Sequence, residues 1–402
     1  MLDLNNFISN FVTHRESSLF YRDIEKFTNK LEQSINGKSL LVIGGAGTIG
    51  SSFINVILRY KPAELVVVDT NENALAELTR DLRSTKDMFI PKEYKTYPMD
   101  FYSNVFKKMF LSHKGFNIVA NFSAHKHVRS EKDIFSVEAL IRNNILHAKN
   151  LLDTLSIYPP KVYFCVSTDK AANPVNIMGA SKRVMEDLIF SYSDKFPVKT
   201  ARFANVAFSN GSLPAGFLSR IQKLQPLSAP LDVKRYFVSP IESGEICVLS
   251  CMLGGNREIF YPKLAEAQMM SFDRIAEDLL KTFGFEVCYC DSDEEAINQA
   301  VSLKLGSKMY PVHFSKSDTS GEKLYEEFVA ENEQTDLTRF SSLGVITNKE
   351  IPDKRLLDNL IFKLNNAFEK IDTTKEEIVD ILKEYLPNFN HLETGKNLDS
   401  KM

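Results

Sequence analysis

Residues 38–69 read KSLLVIGGAGTIGSSFINVILRYKPAELVVVD, and they decide the fold. A short apolar run, SLLVI, is followed by a glycine-rich turn, an apolar stretch at helical spacing and a second apolar run, ELVVVD. Short apolar runs bounded by turn residues predict buried strands, and a strand–turn–helix–strand succession opens a parallel sheet. The turn carries Gly44, Gly47 and Gly50 as G-x-x-G-x-x-G, with Thr48 and Ile49 inside it. Glycines allow a tight turn, let backbone N–H groups approach a pyrophosphate, and let the helix pack closely on the strand. Asp69 ends the second run 19 residues after Gly50, where a carboxylate can accept the adenosine ribose hydroxyls of a dinucleotide. A glycine turn with no ligand is the weaker alternative in this context. Asp69 would repel a 2′-phosphate, so NAD is expected over NADP, with Arg80 and Arg83 downstream keeping NADP open.

The alternation continues outward. FNIVANFSA (116–124) and KVYFCVSTD (161–169) read as two more buried strands, with a helical segment at 133–155 between them. The expectation is an α/β fold: a Rossmann-like, doubly wound parallel sheet with a smaller C-terminal substrate lobe. Ser123 and Ala124, closing the fourth strand, join the cofactor-lining set. Asp100, after the third strand, is an adenine contact or, equally, a surface aspartate. Residues 1–36 read as a helical extension ending at Asn36-Gly37, 37–205 as the dinucleotide-binding domain, and 206–350 as mainly the substrate lobe with some strands returning to the sheet. Within that lobe 286–310 reads as a polar surface insertion. Residues 351–402 form a helical tail whose last dozen residues look frayed. The apolar stripes of the extension and the tail point to homo-oligomer contacts.

Bulk properties exclude several classes. A net charge of −3 leaves no basic footprint for nucleic acid. No apolar run is long enough to span a bilayer, and the N-terminus lacks a signal-peptide pattern. Five cysteines spread over 402 residues fit reduced thiols in a cytoplasm better than a disulfide framework. Cys247/Cys251 and Cys288/Cys290 have no histidine near them in sequence, so no metal is expected.

Residues 167–182, STDKAANPVNIMGASK, carry the chemistry. Lys182 is placed as the second member of a Tyr-x-x-x-Lys pair, but Met178 stands where the tyrosine belongs, and a thioether has no ionisable proton. NGKSLLVIGGAGTIGSSF, NFSAHKHVRSEKDIFSVEALIRNNI, STDKAANPVNIMGASKRVMEDLIF and ARFANVAFSNGS follow in that order. Together they resemble the extended short-chain dehydrogenase/reductases, most closely the UDP-N-acetylglucosamine 4,6-dehydratases of polysaccharide and glycan biosynthesis. The resemblance runs from about residue 37 to about residue 345. That family includes members with Met at the tyrosine position.

The resemblance implies hydride removal from C4 of a UDP-N-acetylhexosamine, loss of water across C5 and C6, and hydride return to C6. It assigns Lys170 as the C5 base, Asp169 as the acid at O6, Thr168 as a partner of O4, and Lys182 to the nicotinamide ribose. Met178 is given a packing role, so the 4-OH proton passes to Asp169 or to an ordered water. As a base Lys170 must be brought toward neutrality by burial or a neighbouring cation. Asp169 and Lys170 can converge on one sugar only beyond the strand end, since adjacent strand residues face opposite ways. His125 and Lys126 are implied in a substrate-lining loop, Asn144 as a brace of the sheet, and Arg202, Asn205 and Ser212 as facing the sugar diphosphate.

The sequence departs from the family at Arg129, where proline is usual, at Ala204 for glycine, and at Thr319, where an arginine normally precedes Gly321-Glu322-Lys323. Without that arginine, Arg220 or Arg235 must grip the diphosphate. Two other functions stay open: a nucleotide-sugar 4-epimerase or C3/C4 oxidoreductase, neither needing an acid/base pair at 169/170, and a non-catalytic NAD-binding sensor.

Overall fold

The computed structural model describes residues 2–304, 306–317, 323, 325–347 and 349–393. Six parallel strands form its centre: β1 (Ser39–Ile43), β2 (Glu64–Asp69), β3 (Glu93–Pro98), β4 (Ile118–Asn121), β5 (Val162–Thr168) and β6 (Val198–Phe203). Later strands are β7 (Asn205–Val206), β8 (Leu227–Pro230), β9 (Lys234–Val238), β10 (Glu258–Pro262), β11 (Met269–Ser271), β12 (Glu286–Tyr289), β13 (Met309–Ser315), β14 (Thr335–Asp336) and β15 (Leu343–Ile346). The main sheet runs β14-β15-β10-β6-β5-β4-β1-β2-β3. β10 adds parallel to β6, while β15 and β14 close that edge antiparallel. The strand order reverses between β1 and β4, and ligands of open parallel sheets bind at such a switch point, beyond the carboxyl ends of the strands.

The central strands are buried on both faces, which is why they read as unbroken apolar runs. Leu40, Leu41, Val42, Leu65, Val66, Val67 and Val119 have no solvent exposure. Flanking helices supply the cover. Thr48–Ile57, Pro240–Leu253 and Tyr21–Ile35 pack together, and Ile177–Phe190 lies on β5 and β6.

Two small sheets, β11-β9-β7 and β12-β13-β8, build the second lobe. The polar stretch expected as a surface insertion supplies β12, the helix Asp293–Ala300 and the start of β13, a parallel pair joined by a crossover helix. Its polarity has a physical reason: only one side of this small edge unit faces apolar neighbours, with Ala296 buried and Glu294 and Glu295 in the first helical turn.

Much of the apolar stripe of each terminal extension is covered within the chain, while Tyr21, Leu356 and Phe362 stay exposed. Leu31 and Ile35 of the N-terminal helix enter the main core, and Asp23, fully buried, accepts the Ser341 and Ser342 N–H groups at 2.7 and 2.8 Å. Arg15 forks onto Glu242 at 2.8 and 2.7 Å. In the tail, Lys354–Phe368 and Lys375–Tyr385 bury Leu357, Leu360, Leu364, Ile378 and Leu382 in the same core. The end of the frayed-looking segment, 394–402, lies outside the described residues, but Leu392 N donates to the Val175 carbonyl at 2.9 Å. Among the described residues no helix is long and apolar enough to cross a membrane.

Candidate active site

The glycine turn lies at the carboxyl end of β1, beside the switch point. Gly44 adopts φ +70°, and a Cβ there would stand 2.6 Å from Ser123 N, so both the turn and the approach of the β4 loop require glycine. At Gly50 a Cβ would meet the Gly44 carbonyl at 2.4 Å, which lets the helix sit directly on the turn. Gly47 caps Thr48–Ile57 without a side chain, leaving the first N–H groups open toward the cleft. Asp69, at the tip of β2, accepts Ala46 N and Asn71 N at 3.0 Å each and so fixes the turn. Open helix N–H groups, a cradle that a Cβ would fill and a carboxylate at the next strand end fit a dinucleotide. Ile49 and Ala124 are half-buried at the same end of the sheet, as is Ser123, whose N–H is held by Asn121. Asp100 is half-buried and its carbonyl caps the turn to Ser103.

Two contacts draw the second lobe over this turn. Thr48 Oγ1 accepts the Asn210 N–H at 3.0 Å, and Lys126 Nζ donates to the Asn210 carbonyl at 3.2 Å. The loop after β4 is held from behind. Asn144 accepts His125 N and donates to His125 O, both at 3.0 Å, and also reaches Ser181 Oγ at 3.0 Å. It does so from a π-helical turn, Arg142–His147, a wide turn of the kind found at functional sites. Asn144 therefore braces the loop against the helix Ile177–Phe190 more than it braces the sheet.

β5 ends at Thr168, and Asp169–Ala171 form a single 3₁₀ turn. The turn lifts Asp169 and Lys170 off the strand's alternation, so both side chains meet. Thr168 Oγ1 donates to Asp169 Oδ1 at 2.8 Å, and Lys170 Nζ donates to the same oxygen at 3.1 Å. A third group, which the sequence reading passed over, completes the cluster. Glu326, only 4% exposed, places Oε1 3.3 Å from Lys170 Nζ and 4.0 Å from Arg235 Nη2. Among the described residues no hydrogen bond reaches that oxygen.

The electrostatics differ from expectation. Burial alone would lower Lys170, but Asp169 and Glu326 outweigh it and hold the ammonium above the ordinary lysine range. The expected lowering rested on burial and a neighbouring cation, whereas the nearest charged groups are carboxylates. Burial raises Glu326, with Lys170 pulling the other way.

Met178 is buried at the start of its helix, its N–H donating to Glu131 Oε1 at 2.8 Å. Lys182 is buried, with Nζ on the Val166 carbonyl at 2.9 Å, and desolvation lowers it. The ammonium thus rests on the end of β5 in this state.

Arg202 is a plain correction. It was expected toward the diphosphate, but it is wholly buried and forks onto Glu186 and Glu333. Arg235 is buried beside Glu326, Arg220 lies half-buried on Leu213–Gln222, and Ser212 caps that helix through Ala215 N. Asn205 is half-buried in β7. Thr319, Gly321 and Glu322 lie outside the described residues. Lys323 donates to the Asn173 carbonyl at 2.6 Å. Among the described residues no His/Cys/Asp/Glu group could hold a metal.

Residues 40–348 match the family described as polysaccharide biosynthesis protein. A Bacillus subtilis relative, "Probable polysaccharide biosynthesis protein EpsC", is 27% identical over 74% of this chain and 48% of its own length. The chain thus spans about half the length of that relative. An inverting UDP-N-acetylglucosamine 4,6-dehydratase of Campylobacter jejuni is 25% identical over 73% of this chain and 83% of its own. Among solved structures, Streptomyces venezuelae DesIV, a dTDP-glucose 4,6-dehydratase with NAD and TYD bound, superposes with a TM-score of 0.54 at 19% identity. That match covers 73% of this chain and 88% of DesIV, a likeness of fold.

Proposed function

The chain belongs to the polysaccharide biosynthesis protein family of extended short-chain dehydrogenase/reductases, and on that premise we propose that it is an NAD-dependent 4,6-dehydratase of a UDP-N-acetylhexosamine, UDP-N-acetylglucosamine first. The observation that carries the reading is the Thr168–Asp169–Lys170 turn at the end of β5, with its acid and base 3.1 Å apart. An enzyme that only moves a hydride on and off C4 has no use for a second acid/base pair, whereas β-elimination of water needs one group for the C5 proton and another for O6. The dehydratase relative supports the same reading.

NAD, when bound, supplies acceptance of the C4 hydride and its return at C6; Asp69, the glycine turn and Lys182 are the residues that would hold it. This chain's own groups move the protons. Met178 cannot take the 4-OH proton, but the Thr168 hydroxyl points at Asp169 Oδ1 at 2.8 Å, a ready path from O4 through Oγ to the carboxylate. The proton gained there equips Asp169 to protonate O6 as hydroxide leaves. Lys170 takes the C5 proton and, after exchange with solvent, delivers a proton to the same carbon. His125, Lys126, Asn205 and Ser212 would hold the sugar, with Arg220 and Arg235 toward the diphosphate.

The test is incubation of the protein with NAD and UDP-N-acetylglucosamine in heavy water, followed by NMR and mass spectrometry. A 4-keto-6-deoxy sugar carrying deuterium at C5 is expected, and Asp169→Asn or Lys170→Ala should abolish it. A C4 epimer without deuterium at C5 would replace this reading with an epimerase, and unchanged sugar with NAD bound would remove both.

A further inference from the structure

The two carboxylates beside Lys170 favour its ammonium form, which is the wrong protonation state for its role. A base must begin as the free amine, yet this ammonium lies between two carboxylates. Four charged groups face the site: Asp169 from its own turn, Glu326 and Lys323 from the segment after β13, and Arg235 from β9. Asp169 Oδ1 is already occupied by Thr168 Oγ1, Lys170 N and Lys170 Nζ. Glu326 Oε1 is buried, 3.3 Å from Nζ, and without a hydrogen bond.

We propose that Glu326 is the proton acceptor that converts Lys170 from ammonium to free amine during turnover. The inference rests on the dehydratase reading and adds a third residue to its acid/base set. When Asp169 takes the 4-OH proton it loses its charge, and Lys170 is left with Glu326 as its remaining anion. A single buried ion pair of this kind gains by collapsing to two neutral groups, because desolvation penalises both charges. One Nζ–H bond breaks, one Oε1–H bond forms, and Lys170 keeps the electron pair. The amine then takes the C5 proton. When Lys170 delivers a solvent-exchanged proton to C5, Glu326 gives its own back to Lys170, and the site is reset with no net proton gained. Glu326 touches neither sugar nor cofactor in this scheme. It acts through Lys170 and is a positioning residue, the object positioned being a proton.

Glu326→Gln keeps the shape and removes the acceptor. Oxidation at C4 precedes the step, so reduced-cofactor absorbance should accumulate on adding UDP-N-acetylglucosamine, while C5 deuteration and water loss fall about 100-fold near neutral pH. The pH profile gives the sharper reading. Wild type should be level near neutrality, but the variant must lose the Lys170 proton to solvent, so its rate should climb about tenfold per pH unit. A uniform loss at every pH, or the wild-type rate and profile, would overturn the proposal. If wild type itself leaves the sugar unchanged, it is the dehydratase reading that has failed, and acetic anhydride labelling of Lys170 against pH then decides the pair. A labelling midpoint lower in Glu326→Gln than in wild type keeps Glu326 as the group that sets the Lys170 proton; equal midpoints overturn it.

Discussion

Two buried clusters in this molecule each set a central cation between two carboxylates, with opposite designs. Arg202 meets Glu186 through two hydrogen bonds of 2.9 and 2.8 Å and Glu333 through two of 2.6 and 2.8 Å. Its Nη1 also donates to the Phe328 carbonyl at 2.8 Å. Ser167 serves Glu186, while Ala330 N and Lys349 serve Glu333. Burial would raise Glu333, but Arg202 and Lys349 hold it down at about 2. Lys170, by contrast, has one contact to each carboxylate, at 3.1 and 3.3 Å, and Glu326 is shifted upward. A planar guanidinium in a complete hydrogen-bond set locks its charges, whereas a lysine with an incompletely bonded carboxyl can move a proton. The two clusters share a backbone: Arg202 grips the 328–333 stretch, and that grip delivers Glu326 to Lys170.

The largest difference should appear on removing each cation. Arg202→Met leaves two carboxylates buried without their main partner and should cost about 3–5 kcal/mol in urea unfolding. Lys170→Met should cost about 1–2 kcal/mol, because Asp169 keeps the Thr168 hydroxyl and a backbone N–H, and Glu326 can protonate. Equal losses would erase the distinction between the clusters. The next effect is the acid limb. The Glu333 carboxyl is depressed in the folded state, so its stabilisation is present above the unfolded value of 4.5 and lost as pH falls toward about 2. Glu333→Gln should therefore lose about 3 kcal/mol near pH 7 and converge with wild type as the pH approaches 2. A gap that stays constant with pH would assign the loss to packing instead.

The sheet was legible because its strands are buried on both faces and so announce themselves as apolar runs. The Gly44–Gly50 turn and Asp69 were legible because backbone geometry there admits few residues. That Asp169 and Lys170 act together was implied by the family resemblance, and strand alternation put their meeting beyond the end of β5. Long-range charge pairing was hidden. Arg202 has the same letter whether it faces a diphosphate or Glu333 more than a hundred residues away, and only the tertiary fold separates the two. Glu326 was missed for a related reason. GEKLYEEF offers three glutamates, and nothing local says that 326 turns inward while Glu327 reaches Asn173. The signal available was chemical: a buried base lysine needs somewhere to put its proton. In the extensions the amphipathic stripe showed that cover is needed, not how much of it the chain itself provides.

The smallest effect is the most discriminating. Glu326 is a buried carboxyl with a free oxygen, and its folded-state value is raised, so the fold is penalised by its ionisation as pH rises past the unfolded 4.5. Glu326→Gln removes that charge and leaves Asp169 to pair Lys170. Stability near pH 7 should then lie within about 1 kcal/mol of wild type, or above it, in the same urea experiment that unfolds Glu333→Gln early. Groups kept for chemistry are commonly held at a cost to stability, and substituting them often recovers it. A loss of more than about 2 kcal/mol would show that Glu326 braces the fold as Glu333 does. The comparison between the clusters would then reduce to geometry, without a functional division behind it.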